Sequence, residues 1–556
     1  MAPPAEASHE PVQGHVGVRA WAHQKLNRLT QGCTGGHASV AALSHEAFAA
    51  AAAERASHVK EHPLNPQAFM PQHVNTQISK RYKINKREIG AGSCGKVLVA
   101  EDREIKGRLV AIKKVSALRG TKRQEFEKEV SVMKLLDHPN ICKLLETYDE
   151  GKAVFLVMEY CDGGELLDLI MNEPEDADGG LSEDLCADII QQIVGALEHA
   201  HARGVAHRDL KPENVCLIDA SPGIAGSGCM YSEADLRPRK HVKVIDWGVS
   251  GYFCRDLMLS DVGTVPYVAP EVLTSTSGSL GYTFSCDIWG LGVLTYVTLS
   301  GTLPFEGSNP TEQAHSIIAG RFSFDGAVWS HVSSAAKDFI SSCLSLDPST
   351  RPTAAALLEQ TWLKHAVAAR RIEGLNAKKV LRNLRQSSLA TFPVAAFAAF
   401  VARQLDHQSL RGLPRLFRQL DLNGDGELDL SEFKSAFQKI FGRNSKELID
   451  IERSFELLDL SGSGTINYTE FIAAALGDRV QTEESLKAAF KAFDVQDNRN
   501  HITKTDFEQV VASLNLDEEA DRVFSEFDVD GDGALDYEEW KAWVRMHIIK
   551  GCNGGG

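Results

Sequence analysis

Two groups of residues in this chain have the types and spacing that demanding chemistry requires. The first opens with Gly90-Ala91-Gly92-Ser93-Cys94-Gly95-Lys96-Val97, between two strand-like runs. Glycines at 90, 92 and 95 let main chain approach phosphate oxygens with no side chain in the way. Dinucleotide sites use a similar string, but there it opens a helix, whereas here Val97 resumes a strand. Downstream come Val110-Ala111-Ile112-Lys113, His207-Arg208-Asp209-Leu210-Lys211-Pro212-Glu213-Asn214 and Asp246-Trp247-Gly248. They offer a lysine for phosphate charge, a carboxylate at Asp209 to accept a hydroxyl proton, and magnesium ligands at Asn214 and Asp246. Phosphoryl transfer from ATP asks a protein mainly for such positioning and charge neutralisation.

The second group is a run of acidic loops. Ca²⁺ takes six to eight oxygens, and a twelve-residue loop supplies them from positions 1, 3, 5, 7, 9 and 12. Asp421, Asn423, Asp425, the carbonyl of Glu427 and a bidentate Glu432 fill that pattern, with Gly426 at the sharp turn. Asp459, Ser461, Ser463, Thr465, Asn467 and Glu470 form a leaner second loop, expected to bind more weakly. Asp528, Asp530, Asp532, Ala534, Asp536 and Glu539 form another complete one. Between the last two, Asp494 to Asp506 is one residue too long and carries Arg499 where glycine belongs. With Ile502 as position 8, position 1 falls on Val495. This unit is expected to keep its shape, pair with the fourth loop, and bind calcium poorly or not at all.

Composition frames both groups. The 556 residues exceed one core and suggest three or four modules. Of the net charge of −16, about −12 lies in residues 401–556, with 18 Lys and Arg against 30 Asp and Glu. That acidity suits cation loops and argues against nucleic-acid binding through this end. Eleven cysteines without a Cys-x-x-Cys fit reduced thiols. No apolar run reaches the ~18 residues of a membrane span, and residue 2 is Ala, so the myristoylation motif is absent. A cytoplasmic location without a transmembrane segment is the expectation.

The elements that must position these groups can be sketched. Residues 1–75 show no stable period and read as a disordered, low-complexity arm. Lys83–Ile89, Val97–Asp102 and Leu109–Val115 read as strands, with the glycine run as their hairpin. Phe126, Val130, Met133 and Leu136 recur at helical spacing, and helical patterns dominate from Glu183 to about His365. The Gly/Ser/Pro-rich stretch Ala220–Lys240 reads as a surface insertion. Residues 364–385 carry seven Lys or Arg and one acid, with Leu375, Val380, Leu381 and Leu384 on one helical stripe. The loop units then recur about every 35–38 residues, each flanked by aromatic-bearing helices.

Together with Ala269-Pro270-Glu271, these motifs resemble the calcium-dependent protein kinases of plants and protists, over nearly everything after the first 75 residues. The resemblance implies a bilobal α+β kinase over 82–365, with a small β-rich lobe and a large α lobe. It implies an autoinhibitory junction over 366–405 and an all-α calmodulin-like domain over 406–550. That domain would hold four EF-hand units, with loops 421–432, 459–470, degenerate 494–506 and 528–539. Lys113 would pair with Glu129, Lys211 would steady the γ-phosphate as in serine/threonine kinases, and Met158, Glu159 and Cys161 would border the adenine pocket. Arg208 would dock a charge from an activation loop holding Ser260 and Thr264. Glu271 with Arg351, and Asp287-Ile288-Trp289, would be structural. Glu165 and Glu213 match acids that favour basic residues upstream of the target Ser or Thr. The junction would hold the kinase off until calcium draws it into the sensor, with ATP, Mg²⁺ and Ca²⁺ as cofactors. Two departures stand out: Trp247 replaces the usual Phe, and Cys94 the usual aromatic. On their account a catalytically silent scaffold is the alternative, and permanently loaded calcium units are a second.

Overall fold

The computed structural model describes residues 70–545, apart from 93–94, 117–120, 173–178, 219–239, 248–264, 275–282, 369–374, 389–391, 411, 478–481, 495–500, 514–519 and 543. Ser93, Cys94, nearly all of the insertion, Ser260, Thr264, Val495 and Arg499 lie outside the described residues, as does the arm before residue 70.

The small lobe is one six-stranded sheet. Its strands are β1 (Gln72–Val74), β2 (Tyr82–Gly92), β3 (Gly95–Asp102), β4 (Leu109–Ser116), β5 (Leu144–Asp149) and β6 (Ala153–Glu159), in the order β1-β5-β6-β4-β3-β2. Glycine pairs Gly90 with Val97 and Gly92 with Gly95 across the β2–β3 hairpin. The edge strand β1 falls inside the expected disordered arm and pairs parallel with β5. A buried charge network holds this part of the chain: Glu146 accepts from Arg81 at 2.8 Å and faces His73 at 3.0 Å. Three residues are too short a run to show alternation, so the pattern could not reveal it. Helix α1 (Thr121–Leu135) lies on the sheet, burying Val130 and Met133.

The large lobe is helical. Helix α2 (Leu166–Met171) precedes α3 (Glu183–Ala202), whose residues Cys186 to Leu197 are all buried. The short pair β7 (Val215–Ile218) and β8 (His241–Val244) carries the catalytic loops at its ends. Helix α4 (Phe284–Ser300) is buried from Cys286 onward. It tolerates Thr295, Thr298 and Ser300 because each hydroxyl donates to the carbonyl four residues back. Gly301, left-handed at φ 69°, ends it.

Two helices connect this lobe to the sensor. Helix α5 (Leu375–Ser387) buries Ala377, Val380, Leu381 and Leu384, the i, i+3, i+4, i+7 stripe of an amphipathic helix. Helix α6 (Phe392–Gln404) is buried on nearly every side by Ala395–Ala402. The four EF-hand units follow: α7 (Leu413–Leu420) and α8 (Leu430–Phe441); α9 (Ile451–Leu458) and α10 (Tyr468–Leu476); α11 (Glu483–Phe493) and α12 (Lys504–Ser513); then α13 (Ala520–Phe527) entering the fourth loop. Loops pair through two-residue strands, Leu428 opposite Ile466 and Ile502 opposite Leu535. Both α5 and α6 share one hydrophobic core with these units.

Leu381 is fully buried between α5 and the sensor. Leu381→Ala is expected to cost the sensor about 3 kcal/mol, seen as a lower denaturant midpoint for its unfolding. An unchanged midpoint would mean α5 is not part of that core.

Candidate functional site

The cleft between the lobes is built around one buried ammonium. Strand β4 delivers Lys113 between β3 and β6, opposite Val97 and Leu156. Its Nζ lies 2.7 Å from Glu129 Oε1, on α1, and 2.8 Å from Asp246 Oδ1, after β8. Burial opposes the charge, but Asp246 and Glu129 together hold the ammonium well above the ordinary lysine range. Burial alone would raise the Asp246 carboxyl, and Lys113 outweighs it and draws it down. Glu129 stays raised, because its own burial exceeds the pull of Lys113. The resulting triad is charged where phosphates and magnesium would enter.

Below it, Asp209 and its neighbours converge. Lys211 Nζ stands 2.9 Å from Asp209 Oδ2, and Asn214 Nδ2 donates to the Asp209 carbonyl at 2.7 Å and to Oδ2 at 3.1 Å. Arg208 and Asp246 both have positive φ, 70° and 64°, a conformation costly for non-glycine residues and found where a site is over-determined. Asp287 anchors the first: its carboxylate accepts from the His207 and Arg208 amides at 2.8 and 2.6 Å and meets His201 Nε2 at 2.8 Å. Arg351 holds Glu271 through two bonds of 2.7 and 2.8 Å and stacks its guanidinium on Trp289. These contacts join Lys113, Glu129 and Asp246 in one group and Asp209, Lys211 and Asn214 in a second.

Trp247 has a definite seat. It is fully buried, donates its indole N–H to the Val244 carbonyl at 3.0 Å, and meets His207 edge-on at 4.8 Å. With the indole turned inward, Asp246 is left facing Lys113. Met158 is half-buried beside Ala111, and Cys161 follows on the connecting segment. The Glu159 side chain turns away from the cleft to accept from the Lys143 amide and pair with Lys243, both at 2.7 Å. Any adenine contact from Glu159 must therefore use main chain.

The acidic loops have the shape a dication needs. Asp421 accepts from the Gly424 and Gly426 amides at 2.6 and 3.1 Å, and Glu432 folds back to the Leu422 and Asn423 amides. Burial, then Asp425 and Glu432, push the Asp421 carboxyl far up. In the second loop, burial and Asp459 push Glu470 up to about 8. Converging buried carboxylates of this kind fit a cation that offsets their repulsion. Asp528, Asp530 and Glu539 each bring an oxygen within 4.8 Å of the others. In the third unit Ile502 occupies the pairing position opposite Leu535, so Asp506 is position 12. Asp506 bonds back to Thr503 as Glu470 does to Asn467, which keeps the unit's shape.

A third feature carries no sequence signal. The carbonyls ending α6 are capped by the other domain: Lys143 Nζ reaches Ala402 and Leu405 at 3.4 and 3.3 Å, and Arg108 reaches Gln404 at 2.8 Å. Asp137 accepts from Arg403 at 3.3 Å and from the Thr469 amide at 2.9 Å. Burial draws the Lys143 ammonium down to about 8 against the pull of Glu159.

This is a two-lobed phosphotransferase site joined to paired EF-hands. A protein kinase domain model matches residues 83–363, and an EF-hand domain pair model matches 412–476 and 483–545. The chain is 31% identical over 479 residues to calcium-dependent protein kinase 3 of Plasmodium berghei, covering 84% of this chain and 80% of that one. It is also 31% identical over 488 residues to calcium-dependent protein kinase 19 of Arabidopsis thaliana, covering 86% and 81%. The chain belongs to the calcium-dependent protein kinase family, and it is a serine/threonine protein kinase. The kinase domain implies ATP and magnesium, and the EF-hands imply calcium. Among the described residues no helix is long and apolar enough to cross a membrane.

Trp247→Phe removes the indole N–H bond, while the buried Val244 carbonyl still accepts from the Cys142 amide at 3.0 Å. Stability should fall by about 0.5–1.5 kcal/mol while the thermal shift given by Mg-ATP is kept. Loss of that shift at unchanged stability would show that the indole acts on the nucleotide loop instead.

Proposed function

We propose that this chain transfers the ATP γ-phosphate to Ser or Thr in proteins, and that its junction, residues 366–405, is the calcium-operated switch. Lys113 takes phosphate charge and is positioned by Glu129. Asp246 and Asn214 hold magnesium, Asp209 accepts the hydroxyl proton, and Lys211 steadies the γ-phosphate. The proton leaves the substrate oxygen as the γ-phosphorus moves from the ADP oxygen to it. Glu165, pushed up by its burial, then Asp168 and Glu213, belongs to an acidic patch beside this loop. Such a patch favours basic residues near the target hydroxyl.

The observation that carries the switch is the posture of α5. Its basic, amphipathic sequence is the kind that sensors take into an apolar groove, and its stripe is buried in the sensor core. Around it, Asn383 donates to the Ala475 carbonyl at 3.0 Å, Arg385 to the Lys446 carbonyl at 2.6 Å, and Arg382 faces Glu447 at 3.9 Å. Phe397 and Phe400 pack against Trp540 and Phe493, in the second EF-hand pair. These contacts support a reading in which the calcium-loaded sensor grips the junction and keeps it from the cleft. Without calcium the same stripe rests on the kinase and holds it off.

Leu384→Asp spoils that stripe for any apolar partner. In chelator, where the unaltered protein is expected to be silent, the variant should phosphorylate a basic serine peptide at a rate at least about tenfold higher. Adding Asp209→Asn should abolish transfer. A variant as silent in chelator as its parent would show that α5 is not the inhibitor.

A further inference from the structure

The first calcium loop lies against the large lobe of the kinase. Helix α3 carries Gln191, Gly195 and His199 four residues apart, Arg203 caps its end, and the loop packs against this line. A Cβ at Gly195 would stand 2.7 Å from the Gly424 carbonyl oxygen. One on Gly424 would stand 2.8 Å from Gln191 Nε2, and one on Gly426 would enter the His138 ring. Arg203 donates to one oxygen of Glu427, and Thr465 of the second loop donates to the other. Glu427 ligates through its carbonyl, so its carboxylate is free for this bridge. Burial lowers His138 and His199 well below the usual histidine range, so both are neutral at pH 7.

The second and fourth loops differ. Gly464, Gly531 and Gly533 are exposed, and a Cβ on any of them would meet nothing. Gly424 and Gly426 are buried at the corresponding turn. Their left-handed φ, 78° and 84°, lets both amides point at Asp421. The main-chain shape that seats on α3 is thus the shape that gathers the ligands.

We propose, on the reading that this loop takes calcium, that it is also part of the face by which the sensor docks on the kinase, and that α3 and its cap raise its calcium affinity through Gly195 and Arg203 as positioning residues. A loop held in its ligating shape has less ordering entropy to lose when the ion arrives. By linkage, calcium in this loop strengthens the docking by the same factor. The kinase thereby tunes the threshold of its own sensor at this site, independently of what α5 does.

The test uses the full chain with Glu470→Gln and Glu539→Gln, which silence the second and fourth loops, and reads calcium binding by calorimetry. Gly195→Ala should weaken the remaining site about fivefold or more. Alanine is favoured over glycine inside a helix, so damage to α3 is not the expected cause. A retained Mg-ATP thermal shift verifies the fold. Arg203→Ala should act in the same direction, with no further effect once Glu427→Gln is present. A dissociation constant within about twofold of the parent's in folded Gly195→Ala would overturn the proposal, and Arg203→Ala decides by the same criterion if Gly195→Ala does not fold. No calcium heat in the background protein would overturn the reading of this loop as a calcium site, and the docking proposal with it.

Discussion

One buried ammonium organises this molecule. Lys113 can stay charged inside the cleft only because Glu129 and Asp246 stand on either side of it. Breaking such an arrangement leaves an uncompensated buried charge, which is costly by several kcal/mol. Strand β4 must therefore present Lys113, α1 must lie close enough to bring Glu129, and the segment after β8 must turn Asp246 inward. The inward Trp247 and the left-handed Asp246 backbone are two consequences of that demand. Every phosphate-handling group is placed relative to this triad.

The triad also explains why the sensor sits where it does. Glu129 lies on α1, and the chain leaving that helix is Leu136-Asp137-His138, two turns further on. Asp137 is the residue that Arg403 and the Thr469 amide hold, and His138 is the residue against the first calcium loop. Lys143, a few residues later, caps α6 and bonds through its main chain to Glu159 beside the nucleotide pocket. The segment that leads from Glu129 to the adenine border is thus the one the sensor contacts directly.

Much of this was legible in sequence because the chemistry itself dictates spacing. The glycine hairpin, Lys113, the Asp209–Asn214 loop and Asp246 are separated as phosphate geometry requires, and twelve-residue calcium loops are equally constrained. Counting back from Ile502 gave the register of the degenerate third unit, and its pairing with Leu535 agrees. What sequence did not reveal are contacts between residues far apart with no periodic signature. The edge strand Gln72–Val74 is stabilised by Glu146, Arg81 and His73, not by its own pattern. The caps from Arg108 and Lys143 join positions about 260–300 residues apart. Nor did sequence reveal that the side chain of Glu159, a residue expected at the adenine border, is paired with Lys243, because burying it demanded a cation.

If calcium in the sensor governs phosphate transfer in the cleft, the rate must follow the occupancy of the loops. The most direct measurement is the initial rate of transfer from Mg-ATP to a basic serine peptide as free calcium is raised from chelator, with calcium occupancy followed in the same samples. The rate should be near background in chelator and climb in step with occupancy. A rate already maximal in chelator, and flat while the loops fill, would contradict it.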